Sequence, residues 1–326
     1  TVSITTSSIA YDPFNKLQDI PKSPKERYKI MTSEMPKVGK LSLDMMYKTA
    51  GIQINFDYTS EEDFKKKFKI GNYLAPLTIA LFANSPFNEN KLSGFLSYRG
   101  KVWQETNRGG IMPITFEKVN FEKYIDYAIN YPILFLKKEG KYYPPNGQTF
   151  KDYLNGNLSF LKGEIPTVED FENHLGTIFT EVRVKQIIEL RSLDTCNFGC
   201  ICNGPSFFTG LIYGCLDECY EIIKNWKKED VMEAYFNAPK QGLNTLLKDK
   251  KLIDWGKIFL DLSKKGLEKR NELNQKGNNE TIYLKHIEEI IKNKKTRADM
   301  LVDQFIKTNN LNFLVNHDEN FSYSGF

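Results

Sequence analysis

Residues 181–191 read Glu-Val-Arg-Val-Lys-Gln-Ile-Ile-Glu-Leu-Arg, which puts Glu181, Arg183, Lys185, Glu189 and Arg191 at odd positions. Val182, Val184, Gln186, Ile188 and Leu190 take the even positions. On one extended strand this alternation lines the charged groups along one face and leaves a mostly apolar face for a core. Two carboxylates and three cations on one surface suit metal and phosphate chemistry. Carboxylate oxygens ligate a divalent ion, and guanidinium forks grip phosphoryl oxygens. The same alternation also describes a solvated, salt-laced sheet face, so the pattern alone leaves both readings open.

Other groups with chemical potential lie upstream. Gln53, Asn55 and Asp57 alternate with Ile52, Ile54 and Phe56, the pattern of a half-buried strand whose amides can orient a small polar ligand or simply face water. Residues 93–113 combine Arg99, Lys101 and Arg108 with Phe95, Tyr98 and Trp103 and with Gly94, Gly100, Gly109 and Gly110. Arginine clamps carboxylate or phosphate in two-point fashion, glycine lets backbone amides approach an anion, and aromatic rings exclude water. The same mixture serves single-stranded nucleic acid, but a net charge of +4 is too mild to support that partner. His174 is the histidine nearest the charged strand and is expected to do no more than position its neighbours.

All five cysteines, Cys196, Cys200, Cys202, Cys215 and Cys219, fall in one short stretch. The spacing is not that of a zinc ribbon and no histidine is close in sequence, so free thiols in a reducing, cytoplasmic compartment are expected. No phosphate-binding Walker loop, dinucleotide glycine fingerprint or nucleophile elbow is present, which removes support for hydrolysis by a Ser or Cys triad.

These groups need a scaffold. The chain has 326 residues, 40% hydrophobic and 26% charged, enough for one large packed domain. No apolar run approaches the roughly 18 residues of a membrane span, and no basic segment with an apolar stretch opens the chain. Strands are expected over 1–9, 51–58, 133–136 and 181–191. Helices are expected over 26–35, 60–82 with a break at Gly71, 121–130, 148–154 and 167–177. Further helices are expected over 205–224, 227–237, 251–275, 281–293 and 296–308. Residues 84–116 read as a long structured loop and 309–326 as a loose tail. Early strands and a helical second half give an α+β fold, an antiparallel sheet backed by helices. Thr1 opens the sequence as if a strand had been entered midway, so a fragment of a longer polypeptide is expected.

An ordered series of short stretches carries a resemblance. It begins with Asp19-Ile20-Pro21, residues 27–31, Met35-Pro36-Lys37-Val38-Gly39, Leu43-Asp44-Met45-Met46 and residues 53–57. It continues through residues 81–87 and 94–99, Trp103, Thr106, Arg108, Met112-Pro113 and residues 124–128. It ends with Glu172-Asn173-His174-Leu175, Thr177-Ile178-Phe179, Glu181-Val182-Arg183, Lys185, Glu189-Leu190-Arg191, residues 266–270 and residues 296–301. Colinear over about residues 19–305, the series resembles the plant and proteobacterial type of glutamate–cysteine ligase, of the carboxylate–amine ligases. The resemblance implies a glutamine-synthetase-like catalytic fold, with a curved antiparallel sheet forming a cup. It implies an ATP- and Mg²⁺-dependent reaction, the first step of glutathione biosynthesis, in which the glutamate γ-carboxylate becomes a γ-glutamyl phosphate and the amine of cysteine attacks it. The substrates are small molecules, with neither nucleic acid nor membrane as partner.

Carried onto this chain, the resemblance assigns Glu181 and Glu189 to metal. Arg183, Arg191 and Lys185 fall to the transferring phosphoryl group, and Arg99, Trp103, Thr106, Arg108, Gln53 and Asn55 to substrate. A ligase with another amine acceptor and a non-catalytic ligand-binding remnant are the alternatives. Three departures stand out. Arg191 is followed by Ser192-Leu193-Asp194-Thr195-Cys196 where the family has a Gly-Ala-Asp-Gly-Gly turn. The loop between Thr106 and Arg108 is two positions shorter. Residues 1–20 supply no Gly-x-Glu-x-Glu strand, the family's source of metal-binding carboxylates. A single catalytic domain, 1–326, incomplete at its N-terminal end relative to the family and binding ATP–Mg²⁺ poorly by itself, is therefore expected.

Overall fold

The computed structural model describes residues 7–144, 146–197 and 199–316. Its helices are α1 (Glu26–Glu34), α2 (Ser42–Lys48), α3 (Glu61–Tyr73), α4 (Ala75–Leu81), α5 (Tyr98–Gln104), α6 (Phe121–Ile129), α7 (Phe150–Leu154) and α8 (Val168–Leu175). They continue with α9 (Asn203–Thr209), α10 (Leu216–Ile223), α11 (Lys228–Gln241), α12 (Leu252–Arg270), α13 (Lys285–Asn293), α14 (Arg297–Thr308) and α15 (Phe313–Asn316). The main sheet has strands β1 (Gly51–Phe56), β2 (Val182–Val184) and β3 (Ile188–Asp194) in the antiparallel order β1-β3-β2. Three two-stranded ribbons complete the sheet structure among the described residues. The α+β expectation holds.

The single strand expected over 181–191 is instead a hairpin. Val182 pairs with Leu190, Arg183 with Glu189 and Val184 with Ile188, so Lys185 to Ile187 form the turn. Paired positions sum to an even number, so odd residues still share a face after the chain reverses. β1 continues this with Asn55 opposite Glu189 and Ile54 opposite Leu190. Further along, Ile52 pairs with Leu193, leaving Gln53 alone opposite both Arg191 and Ser192. This β-bulge shifts the alternation by one. Beyond it Leu193 faces the core and Asp194 lies opposite Gly51.

The apolar face of the sheet packs on α3, α4 and α9, where Phe64, Phe68, Leu77, Phe207 and Phe208 are buried with Ile54, Val182 and Leu190. Gly71 does not break its helix. It lies where α3 touches the sheet, and a Cβ there would come within 2.5 Å of Leu190 Cδ2 and 2.8 Å of Val182 Cγ2. The break falls at Leu74, before Pro76 of α4. α12 crosses the segment Gly210–Gly214 through Gly266, where a Cβ on Gly266 would overlap the Gly210 carbonyl.

Further expectations are corrected. The long loop 84–116 contains α5, started by Ser97, whose Oγ accepts the Gly100 N–H at 3.0 Å. The tail is docked as far as it is described: Leu311 and Leu314 are buried with Ile9, Phe87 and Leu301. Residues 7–9, the described end of the strand expected over 1–9, form no strand; residues 1–6 and 317–326 lie outside the described residues. Cys196 and Cys200 form a disulfide, contrary to the free thiols expected, while Cys202, Cys215 and Cys219 are free. Among the described residues no helix is long and apolar enough to cross a membrane.

His174, on α8, is buried and stacked on Phe150 with ring centroids 4.9 Å apart. Its Nε2 lies 2.8 Å from the Ala128 carbonyl, and burial pushes its pKa from 6.5 down to about 4. Between those values the unfolded chain binds the proton that the fold excludes, so stability falls as pH drops from 6.5 toward 4. A loss of about 3 kcal/mol across that window is expected. Denaturant titrations at stepped pH should show the slope in wild type and lose it in His174→Gln. Gly266→Ala should cost about 3 kcal/mol or abolish folding, whereas exposed Lys265→Ala should stay within about 0.5 kcal/mol; calorimetry of both variants checks the contrast.

Candidate active site

Asp194, at the end of β3, is 2% exposed and meets only donors. Its Oδ2 accepts the Asn84 N–H at 2.8 Å and the Ser85 hydroxyl at 2.7 Å, and its Oδ1 accepts the Ser97 hydroxyl at 3.0 Å. The two hydroxyls are oriented by what they themselves accept. Ser85 Oγ takes the Arg99 N–H at 3.1 Å and Ser97 Oγ takes that of Gly100 at 3.0 Å, which turns both hydroxyl protons toward the carboxylate. Burial raises the Asp194 pKa, with Arg99 and these donors pulling the other way. Arg99 Nη1 lies 3.7 Å from Oδ1, and Nη2 donates to the Arg191 carbonyl at 2.8 Å. Gly51 is required opposite Asp194, since a Cβ there would sit 2.5 Å from Arg99 Nη2.

The neighbouring sheet face gathers charge. Arg183 grips Glu189 in two-point fashion, with Nη2 2.8 Å from Oε2 and 3.0 Å from Oε1, and Arg191 Nη1 donates to Oε1 of the same carboxylate. With its amide oriented to suit its neighbours, Gln53 donates to Glu189 Oε1 at 2.8 Å and accepts from Arg191 Nη1 at 2.9 Å. Burial pushes Glu189 up, but Arg191 and Arg183 more than offset it and hold the group below the usual carboxylate range. Burial, reinforced by Arg183, brings Arg191 down to about 10, so it remains cationic at neutral pH.

The Arg99 and Arg191 guanidiniums lie 5.3 and 5.2 Å from the Trp103 ring, each within cation–π reach. The Nε atoms of both arginines and Nε1 of Trp103 are buried without a hydrogen-bond partner. All three residues line a cavity of about 240 Å³. Tyr28 and Met31 of α1 and Met45 and Met46 of α2 also line it. A lining that combines two cations and an amide with thioethers suits a ligand of amino-acid size that carries a carboxylate.

The remaining expected residues lie elsewhere. Asn55 is exposed beside Glu189, and Lys185 is exposed at the hairpin turn. Thr106 does not line the cavity; its hydroxyl donates to the Trp103 carbonyl at 2.9 Å and accepts the Gly109 N–H at 3.0 Å, closing the end of α5. Arg108 is spent on backbone. Its Nε and Nη2 donate to the Thr177 carbonyl, its Nη2 also donates to the Pro132 carbonyl, and the guanidinium lies 4.7 Å from the Tyr131 ring. Glu181 turns away from Glu189 to accept the Tyr235 hydroxyl at 2.6 Å and the Ser192 hydroxyl at 2.7 Å. Among the described residues no group of three or more His, Cys, Asp or Glu side chains could hold a metal ion. Glu189 is neutralised by arginines and both Glu181 oxygens are engaged by hydroxyls, with no third candidate ligand beside them among the described residues, so these residues do not fit a magnesium site by themselves.

Met31, Met45, Met46, Phe179 and the serines around Asp194 do not stand out in the sequence as site residues. Ser97 three positions before Gly100 is a helix-start signal that could have located α5. No local signal marks the methionine wall, which forms only when α1 and α2 fold over the sheet.

Three chloroplastic glutamate–cysteine ligases illustrate what the chain is similar to. The protein from Solanum lycopersicum is 40% identical over 300 residues, covering 90% of this chain and 56% of its own length. Ligase B from Oryza sativa subsp. japonica is 39% identical over 302 residues, covering 91% and 60%. The Arabidopsis thaliana ligase is 39% identical over 302 residues, covering 91% and 57%. The chain thus spans 56–60% of the length of these relatives. Their chloroplastic designation overturns the expected cytoplasmic location. Residues 6–317 match the profile of glutamate-cysteine ligase family 2 (GCS2), and the chain belongs to that family.

Proposed function

We propose that this chain holds the amino-acid pocket of an ATP-dependent, ADP-forming ligase that joins the glutamate γ-carboxylate to the amine of cysteine. One observation carries the reading: two buried arginines, Arg99 and Arg191, both within cation–π reach of Trp103, line a cavity of about 240 Å³. Partly desolvated guanidiniums lining a cavity favour an anionic occupant, and a carboxylate meets them with charge-assisted hydrogen bonds. The names of the relatives supply the reaction, and we extend their plastid location to this protein as part of the same reading.

In this reading Arg99 and Arg191 hold the carboxylate of glutamate. Gln53 keeps the Arg191 fork aimed by occupying its Nη1. Trp103 covers the cations and excludes water, and the methionine wall accommodates the methylenes. Arg183, with exposed Lys185 and Asn55 nearby, faces the open side where the γ-carboxylate would meet the phosphoryl donor. ATP supplies the phosphoryl group that makes that carboxylate electrophilic. Thr106 and Arg108 support the frame and do not contact substrate. The small curved sheet backed by helices is read as part of a glutamine-synthetase-like cup, with the chain as one catalytic domain. Magnesium is implied by the family's chemistry, but the described residues do not supply its site and no step is assigned to it.

Glutamate- and cysteine-dependent ADP release by the full-length protein tests the reading, and its absence overturns it. Arg191→Ala should lower kcat/KM for glutamate about a hundredfold, as expected for losing a charge-assisted contact. Arg108→Ala should lower the melting temperature while leaving the glutamate KM within about twofold, because its partners are backbone carbonyls rather than ligand. Steady-state kinetics together with thermal melts separate the two outcomes.

A further inference from the structure

Glu181 is 4% exposed, and its side-chain partners among the described residues are the hydroxyls of Tyr235 and Ser192. A buried carboxylate satisfied by hydroxyls alone is a costly arrangement, so what it connects matters. Its own N–H donates to the Gly110 carbonyl at 3.0 Å, and its carbonyl accepts the Arg191 N–H at 2.9 Å. Through one residue the glycine turn after α5, the bulge at Ser192, the strand bearing Arg191 and helix α11 are joined.

α11 also grips α5, for a reason legible in its sequence. Pro239 has no N–H to donate to the carbonyl four residues earlier, which leaves the Tyr235 carbonyl free. Gln104 of α5 fills that gap, its Nε2 donating to Tyr235 O at 2.6 Å. At the helix end the Pro239 carbonyl accepts the Leu96 and Ser97 N–H groups at 2.8 and 3.0 Å. α11 is therefore the common anchor of the helix that carries Arg99 and Trp103 and of the strand that carries Arg191.

We propose that Tyr235 and Ser192, acting through Glu181, are positioning residues that set Arg191 against Arg99 and Trp103. Nothing in this role requires Glu181 to touch metal or substrate. In Glu181→Gln the neutral amide can accept from Tyr235 with its oxygen and donate to Ser192 with its nitrogen, so the device depends on hydrogen-bond geometry rather than on charge.

The kinetic arm of the test rests on the ligase reading; a hydrogen-exchange arm does not. In the full-length protein, Tyr235→Phe should speed exchange of residues 188–194 about tenfold, with α12 unchanged. The same variant should raise the glutamate KM about tenfold while leaving kcat and the half-saturating Mg²⁺ concentration as in wild type. Ser192→Ala should act in the same direction, and the double variant should fall short of the product of the two because both act on one carboxylate. Glu181→Gln should stay within about threefold of wild type in glutamate KM and in Mg²⁺ requirement. Unchanged exchange at 188–194 in Tyr235→Phe overturns the proposal, as does a tenfold or greater rise in Mg²⁺ requirement in Glu181→Gln, the signature of a metal ligand. If wild type releases no ADP, that failure belongs to the ligase reading, and the exchange arm alone decides the positioning role.

Discussion

The geometry of the site depends on one buried carboxylate. Asp194 receives a backbone N–H, two hydroxyls and the approach of Arg99, from segments far apart in sequence. Each hydroxyl is already committed as an acceptor, so the network has a direction: protons point inward and only an acceptor fits. Asparagine has the shape but would set its own N–H groups against donors, leaving buried polar groups unsatisfied. The register that places Asp194 opposite Gly51 follows from the bulge at Arg191 and Ser192. Sheet irregularity, helix start and arginine orientation are thus one linked constraint.

Around that anchor the fold concentrates positive charge and neutralises it only in part. Glu189 serves Arg183 and Arg191 together, while Arg99 leans on Asp194 at the longer distance of 3.7 Å. Desolvation lowers the Arg191 pKa, a sign that the cation is held at a cost. In the proposed reading an anionic ligand beside Arg191 would offset that cost through charge-assisted hydrogen bonds. The arrangement favours a ligand that brings its own negative charge.

Much of this was legible in the sequence where local rules govern. The odd-even alternation of 181–191 predicted a shared charged face, and it survived the unexpected hairpin because an odd-length turn preserves parity. Arg99, Trp103, Gln53 and Arg191 stand out in the sequence and do meet. What failed depended on tertiary placement. Arg108 and Thr106 sit in the same basic, aromatic stretch as Arg99, yet the chain turns them onto backbone. Glu181 shares parity with Glu189 but lies just before β2, where α11 offers it a hydroxyl. Gly71 reads as a helix breaker by propensity and is a contact glycine by packing. The Cys196–Cys200 disulfide and the docked residues 311–315 likewise arise from contacts that spacing does not encode.

In the proposed reading Asp194, through its donors, holds Arg99 in place to bind a carboxylate. The most direct measurement is calorimetric titration of glutamate into full-length Asp194→Asn protein beside wild type, at a temperature where both are folded. Asp194→Asn should lose at least about tenfold in glutamate affinity, the scale of a misplaced charge-assisted hydrogen bond. Equal affinity in the two proteins would contradict it.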